Sequence, residues 1–141
     1  MTKHVFVAGP LRTPDDIGYL EAIERALRTD HVSIFLPHKA IGVLARDALD
    51  LAPLQANLDA LKTCDLAVFV LDRERTGTGL ELGYLHCLWE LGLSSAIAFG
   101  LVRPGREREI DLMARFCLTK TGGLVTSLER LAELSGPILR Q

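Results

Sequence analysis

Short apolar runs and helical stripes alternate along the chain. Residues 4–8 (HVFVA) are apolar, rich in β-branched and aromatic side chains, and stop at Gly9-Pro10, which predicts a buried strand ending in a turn. From Pro14 to about Leu27, the residues Ile17, Leu20, Ile23, Ala26 and Leu27 recur at helical spacing. Asp15 and Asp16 occupy the first turn of that helix, where its positive end favours carboxylates. VSIFLP (32–37) reads as a second strand closed by Pro37. The stretch ARDALDLAP has no clear period, and a helix is expected after Pro53 with Leu54, Leu58 and Leu61 on one face. DLAVFVLD (65–72) holds six consecutive apolar residues between aspartates, the pattern of a central strand covered on both faces.

LELGYLHCLWEL (80–91) is apolar almost all round and predicts a buried helix ending at Gly92. SAIAFGLV (95–102) is the fourth strand, 109–116 a short helix, LVTS (124–127) a fifth strand and Leu128 to about Leu134 a closing helix. Strands alternating with helices imply an α/β fold: a parallel sheet covered by helices on both faces, joined by right-handed crossovers. Ligands bind such sheets beyond the carboxyl ends of the strands. That rule selects Gly9–Arg12, Pro37–Lys39, Asp72–Glu81 and Leu101–Arg106 as the functional rim.

The 141 residues fit one domain, 1–141, and 48% hydrophobic content supplies a core. Sixteen Lys and Arg against 18 Asp and Glu give a net charge of -2 and no broad cationic field, which argues against nucleic acid as partner. A small anion remains compatible, since a local Arg or a backbone nest binds one phosphate. No apolar stretch approaches the ~20 residues of a membrane span, and the expectation is a cytoplasmic protein with no membrane partner. Cys64, Cys87 and Cys117 form no CxxC pair and are expected to be reduced. His86-Cys87 has no second ligand pair at usable spacing, so neither a metal site nor a thiol nucleophile is expected there.

Thr76-Gly77-Thr78-Gly79-Leu80-Glu81-Leu82-Gly83 spaces its glycines G-x-G-x-x-x-G, so the dinucleotide fingerprint is absent, as is the P-loop pattern. Thr78-x-x-Glu81 matches a capping box, with Thr78 as N-cap and Glu81 as its reciprocal partner. The functional alternative rests on position. A carboxylate in the first turn of a buried helix, after a central strand, faces the ligand crevice, kept ionised by the helix dipole and able to act as a nucleophile.

The chain resembles the nucleoside 2-deoxyribosyltransferase family, which includes the related 2'-deoxynucleoside 5'-monophosphate N-hydrolases. The resemblance is carried by VFVAGPL at 5–11, IFLPHK at 34–39, N-x-D-A-L-x-x-C-D at 57–65 and VFVLD at 68–72. It continues through GTGLELGY at 77–84, the most specific match, to IDLM at 110–113 and VTSLERL at 125–131. It implies a flavodoxin-like three-layer α/β/α fold with a five-stranded parallel sheet, assembled as a homodimer or higher homo-oligomer. It implies a small-molecule nucleoside or nucleotide substrate, no metal and no organic cofactor. Glu81 is then the nucleophile on C1' of a deoxyribose, and a second base or water resolves the glycosyl-enzyme, as in a retaining glycosidase.

The family's acidic residue eight positions before the C-D aspartate falls on Asn57, its aspartate six before the nucleophile on Arg75, and the Asn of its I-N-L-M on Asp111. Asn57 thus stands in the catalytic set without a titratable proton, and Asp72 becomes the candidate acid, followed by Asp59 and an inter-subunit Asp111. Gly9, Pro10, Leu11, Arg12, His38, Gly77, Thr78, Gly79, Tyr84, Asp111 and Met113 complete the expected substrate site. Arg12, His38 and Lys39 are candidates for a 5'-phosphate or hydroxyl. Tyr84, three residues beyond Glu81, either orients its carboxylate or packs. Asp65, at the far end of the central strand, reads as a turn residue, and Trp89 as a helix-to-sheet or subunit contact. A catalytically weak nucleotide-binding module is the alternative to an enzyme.

Overall fold

The computed structural model describes residues 1–73 and 75–141; position 74, inside the expected rim segment 72–81, lies outside the described residues. The chain runs β1 (Lys3–Ala8), α1 (Pro14–Leu27), β2 (Val32–Phe35), α2 (Pro37–Ala40), α3 (Gln55–Thr63), β3 (Leu66–Val70), α4 (Thr76–Glu90), β4 (Ile97–Leu101), α5 (Leu112–Thr119), β5 (Gly123–Val125) and α6 (Leu128–Leu139). All five strands pair in parallel in the order β2-β1-β3-β4-β5, which is the flavodoxin-like arrangement. β3 sits at the centre, and all five of its residues are buried.

Because successive strand residues point to opposite faces, the sheet feeds two cores. Val5, Val7, Val68, Val70 and Leu101 meet Leu20, Ile23 and Leu27 of α1 and Leu131 and Leu139 of α6. Phe6, Ala8, Ala67, Phe69 and Ala98 meet Leu61 of α3, Leu82 and Leu85 of α4 and Leu118 of α5 on the other side. Asp65 is more than a turn residue: its Oδ2 accepts the His4 amide at 2.8 Å and its Oδ1 pairs with Lys3 at 3.5 Å, stapling β1 to the start of β3.

Several boundaries move. Pro37 does close β2, and it also opens α2, since its fixed φ and missing N–H suit the first helical position. α6 runs five residues past Leu134, with Pro137 accommodated in its final turn. α5 begins at Leu112 rather than 109, because Asp111 caps it by accepting from Met113 N at 2.8 Å and Ala114 N at 3.3 Å. At the other end of an element, α4 starts at Thr76, four residues before the expected position.

Candidate functional site

In the order β2-β1-β3 the chain reverses its direction of travel across the sheet between β1 and β3, and the segments that follow these two strands diverge to leave a crevice. Gly9, Pro10, Leu11 and Arg12 form one wall after β1. Arg75, Thr76, Gly77, Thr78 and Glu81, from the start of α4, form the other. Ile41, Gly42, Val43, Leu44, Arg46, Leu54 and Asn57 close the far side of a cleft of about 710 Å³. Gly9 is required by close approach: a Cβ there would lie 2.9 Å from both Leu20 Cδ2 and Val70 Cβ.

The early start of α4 decides the role of Glu81. The N-cap is Arg75, which makes no side-chain cap, and Thr78 and Glu81 are both interior helical residues. The capping box is therefore absent. Glu81 instead lies one turn beyond Gly77 on the face that lines the cleft, while Gly79, Leu82, Gly83 and His86 line the opposite side of the helix. Glu81 Oε2 is buried without a hydrogen-bond partner. Nor does the helix dipole hold this side chain ionised, because the effect fades within the first turn. Burial dominates and pushes its carboxyl up to about 7.

Asn57 Oδ1 and Arg75 Nε, also on the cleft wall, are likewise buried without partners. An unsatisfied buried polar atom costs about 1–3 kcal/mol, so three around one cleft describe a surface that a polar ligand completes.

Of the residues expected from sequence, the cleft unites Glu81, Asn57, Gly9, Pro10, Leu11, Arg12, Gly77 and Thr78. The others lie elsewhere. Asp72 is 4% exposed and outside the cleft lining; it accepts from Arg103 N at 2.8 Å and pairs with the Arg103 guanidinium, which itself lies over the Tyr19 ring. Its carboxylate is committed to holding the β3 and β4 ends together. His38 Nε2 lies 3.1 Å from Glu21 and Lys39 Nζ 2.8 Å from Glu24, because the α2 turn directs both toward α1 rather than over the cleft. Asp59, on α3, accepts from Gln55 at 3.0 Å. Tyr84 packs against the α4 side of the sheet.

Gly79, Asp111 and Met113 line a second cavity of about 550 Å³ between α4 and α5, with Arg73 and His86. Arg75, Thr76 and Thr78 border both cavities. The cleft residues that sequence reasoning missed are Ile41, Gly42, Val43, Leu44 and Arg46, together with Leu54, which was expected only as part of an apolar helix face. The 41–46 stretch has no hydrophobic period, and only the positive charge of Arg46 hinted at a rim role. Cys64 is an inert thiol, pushed up to about 12 chiefly by burial.

The sequence model of a family described as nucleoside 2-deoxyribosyltransferase matches residues 5–97. Among solved structures, the chain is similar to a conserved protein from Enterococcus faecalis V583, at 19% identity over 94% of this chain and 96% of that one, with a TM-score of 0.72. It is similar to a 2-deoxyribosyltransferase from Bacillus psychrosaccharolyticus, at 16% identity over 92% and 90%, with a TM-score of 0.70. A 2-desoxiribosyltransferase from Leishmania mexicana aligns at 25% identity over 75% and 70%, with a TM-score of 0.51. The first two likenesses are of fold. No curated protein matches the chain. Among the described residues no helix is long and apolar enough to cross a membrane.

Proposed function

Because the chain belongs to the nucleoside 2-deoxyribosyltransferase family, whose sequence model covers residues 5–97, we propose that it cleaves the N-glycosidic bond of a deoxynucleoside or its 5'-monophosphate, with Glu81 as the nucleophile. The observation that carries the proposal is the partnerless Oε2 of Glu81, buried in the wall of a cleft at the sheet's switch point.

In the ionised form, a Glu81 oxygen attacks C1' as the C1'–N bond breaks and its electron pair leaves with the base. The carboxylate stabilises the oxocarbenium-like centre and then holds the sugar as an ester. A second base, or water, attacks C1' from the opposite side and returns the carboxylate, giving transfer or hydrolysis. Asn57 is unable to supply a proton, but its unpaired Oδ1 is an acceptor for a donor on the base or the sugar. Desolvation serves the first step, because an ionised carboxylate stripped of water is a stronger nucleophile than a solvated one.

Assembly as a homo-oligomer belongs to the same proposal. Leu112, Met113, Phe116 and Trp89 are exposed on neighbouring α5 and α4 surfaces, where a second copy would cover them.

Incubation with a panel of deoxynucleosides and their 5'-monophosphates, with and without an acceptor base, tests the function. Exchange of base identifies a transferase and release alone a hydrolase. Binding without either product contradicts the catalytic reading and leaves the binding module.

A further inference from the structure

The two walls of the cleft come from segments far apart in the chain, residues 9–12 after β1 and residues 75–78 at the start of α4. Next to each wall stands a group that turns to the same carboxylate, Asp16 in the first turn of α1. Beside Arg12, the Thr13 amide donates to Asp16 Oδ2 at 3.1 Å, and the Asp16 amide donates to Thr13 Oγ1 at 3.1 Å. Close before Arg75, the Arg73 guanidinium pairs with Asp16 Oδ1 at 3.5 Å.

A first-turn aspartate that serves only the helix dipole can stay in water. Asp16 does not: it is 5% exposed. A buried carboxylate is costly unless it is hydrogen-bonded and paired, and losing one partner leaves its charge poorly compensated. The partners of Asp16 belong to opposite sides of the cleft, so the cost of burying this one charge resists their separation. The loop after β3 is also held from its other side, because Asp72 accepts from Arg103 N at 2.8 Å. Residues 72 and 73 are thus fixed to the end of β4 and to α1, just ahead of Arg75, the N-cap of the helix that carries Glu81.

We propose that Asp16 is a positioning residue, which sets the width of the cleft by holding the Arg73 loop against the turn after β1. This rests on the Glu81 reading above. Attack requires a Glu81 oxygen about 3–3.5 Å from the anomeric carbon, and an error of about 1 Å can cost 100-fold in rate. Binding depends on width more weakly, since a ligand can settle against either wall. The loss of the clamp is therefore a loss of kcat more than a rise of KM.

The test compares kcat and KM for base release in the wild type, Asp16→Asn, Arg73→Gln, the double variant and Arg73→Lys, below the lowest Tm of the set. Lys3→Gln is the control, because Lys3 and Asp65 form a pair of equal length, 3.5 Å, at the far end of β3. Asp16→Asn keeps an oxygen for the Thr13 amide and loses the charge. It and Arg73→Gln should each lower kcat about 10-fold with KM within about 3-fold. The double variant should fall no further than the singles, Arg73→Lys should recover most of the loss, and Lys3→Gln should keep wild-type kcat. Wild-type kcat in both single variants, losses that multiply in the double, or an equal loss in Lys3→Gln overturns the clamp and leaves the Glu81 chemistry standing. Should the wild type release no base from any substrate, the Glu81 reading fails and amide hydrogen exchange decides the clamp. Arg73→Gln that speeds exchange about 5-fold at residues 9–13, across the cleft, supports it; faster exchange confined to residues 71–79, or no change, overturns it.

Discussion

Glu81 pays for its position in stability. Its carboxyl titrates near 7 in the fold against an ordinary value of 4.5, so between those values the native state holds a proton that the unfolded chain has released. Stability therefore falls as pH rises through this window, by about 3 kcal/mol in total. Glu81→Gln removes the buried charge and keeps the shape. Its Tm should exceed that of the wild type at pH 8, and the two should converge toward pH 4. A neighbouring residue makes an opposite prediction. Gly9→Ala places a methyl group against Leu20 and Val70, whose nearest atoms lie at 2.9 Å, and should lower stability by about 1–3 kcal/mol in chemical denaturation. At this scale the sequence was partly readable. Glu81 and Arg12, expected on the rim, do line the cleft, as does Asn57, which the family resemblance singled out; Asp72 does not, because a strand-end aspartate facing the crevice and one facing Arg103 look alike until β4 is positioned beside it.

Helix α4 shows how an element decides what its residues do. Thr78-x-x-Glu81 satisfies the capping pattern, yet the helix begins at Thr76 and passes through Gly77 and Gly79, both poor helix formers. Neither has positive φ, and a Cβ at either would meet nothing within 4 Å. Open space rather than backbone freedom is what these glycines provide. Gly77→Ala and Gly79→Ala should each stabilise the fold by about 0.5–1 kcal/mol. Their kinetic effects should differ: Gly77→Ala adds a methyl group to the Glu81 cleft and raises KM, while Gly79→Ala faces the other cavity and leaves KM unchanged. The strands were legible throughout, since continuous apolar runs such as 66–70 have few other uses. Short α2 was not. Four residues carry no period, and its consequence, the turning of His38 and Lys39 onto α1, depends on Glu21 and Glu24 standing opposite.

Across the molecule, the parallel order β2-β1-β3-β4-β5 opens the crevice between the segments after β1 and β3, and Glu81 reaches it from α4. The alternation of strands and helices was enough to expect a parallel sheet covered by helices on both faces. It was not enough to place Asp111 and Met113, whose separation from the Glu81 cleft follows from how α5 packs on α4. The free protein should show kcat/KM rising with pH and levelling off above about 7, because in the proposed reaction only the ionised carboxylate attacks. A profile flat from pH 5 to 9 would remove Glu81 from the rate-determining chemistry.

The most direct measurement is the intact mass of the protein after exposure to a deoxynucleoside, or its 5'-monophosphate, slowed by fluorine at C2'. A gain equal to the sugar portion, localised to Glu81 by peptide mapping and absent from Glu81→Ala, is the predicted result. Turnover of the normal substrate with no adduct on Glu81, or an adduct that persists in Glu81→Ala, would contradict the account.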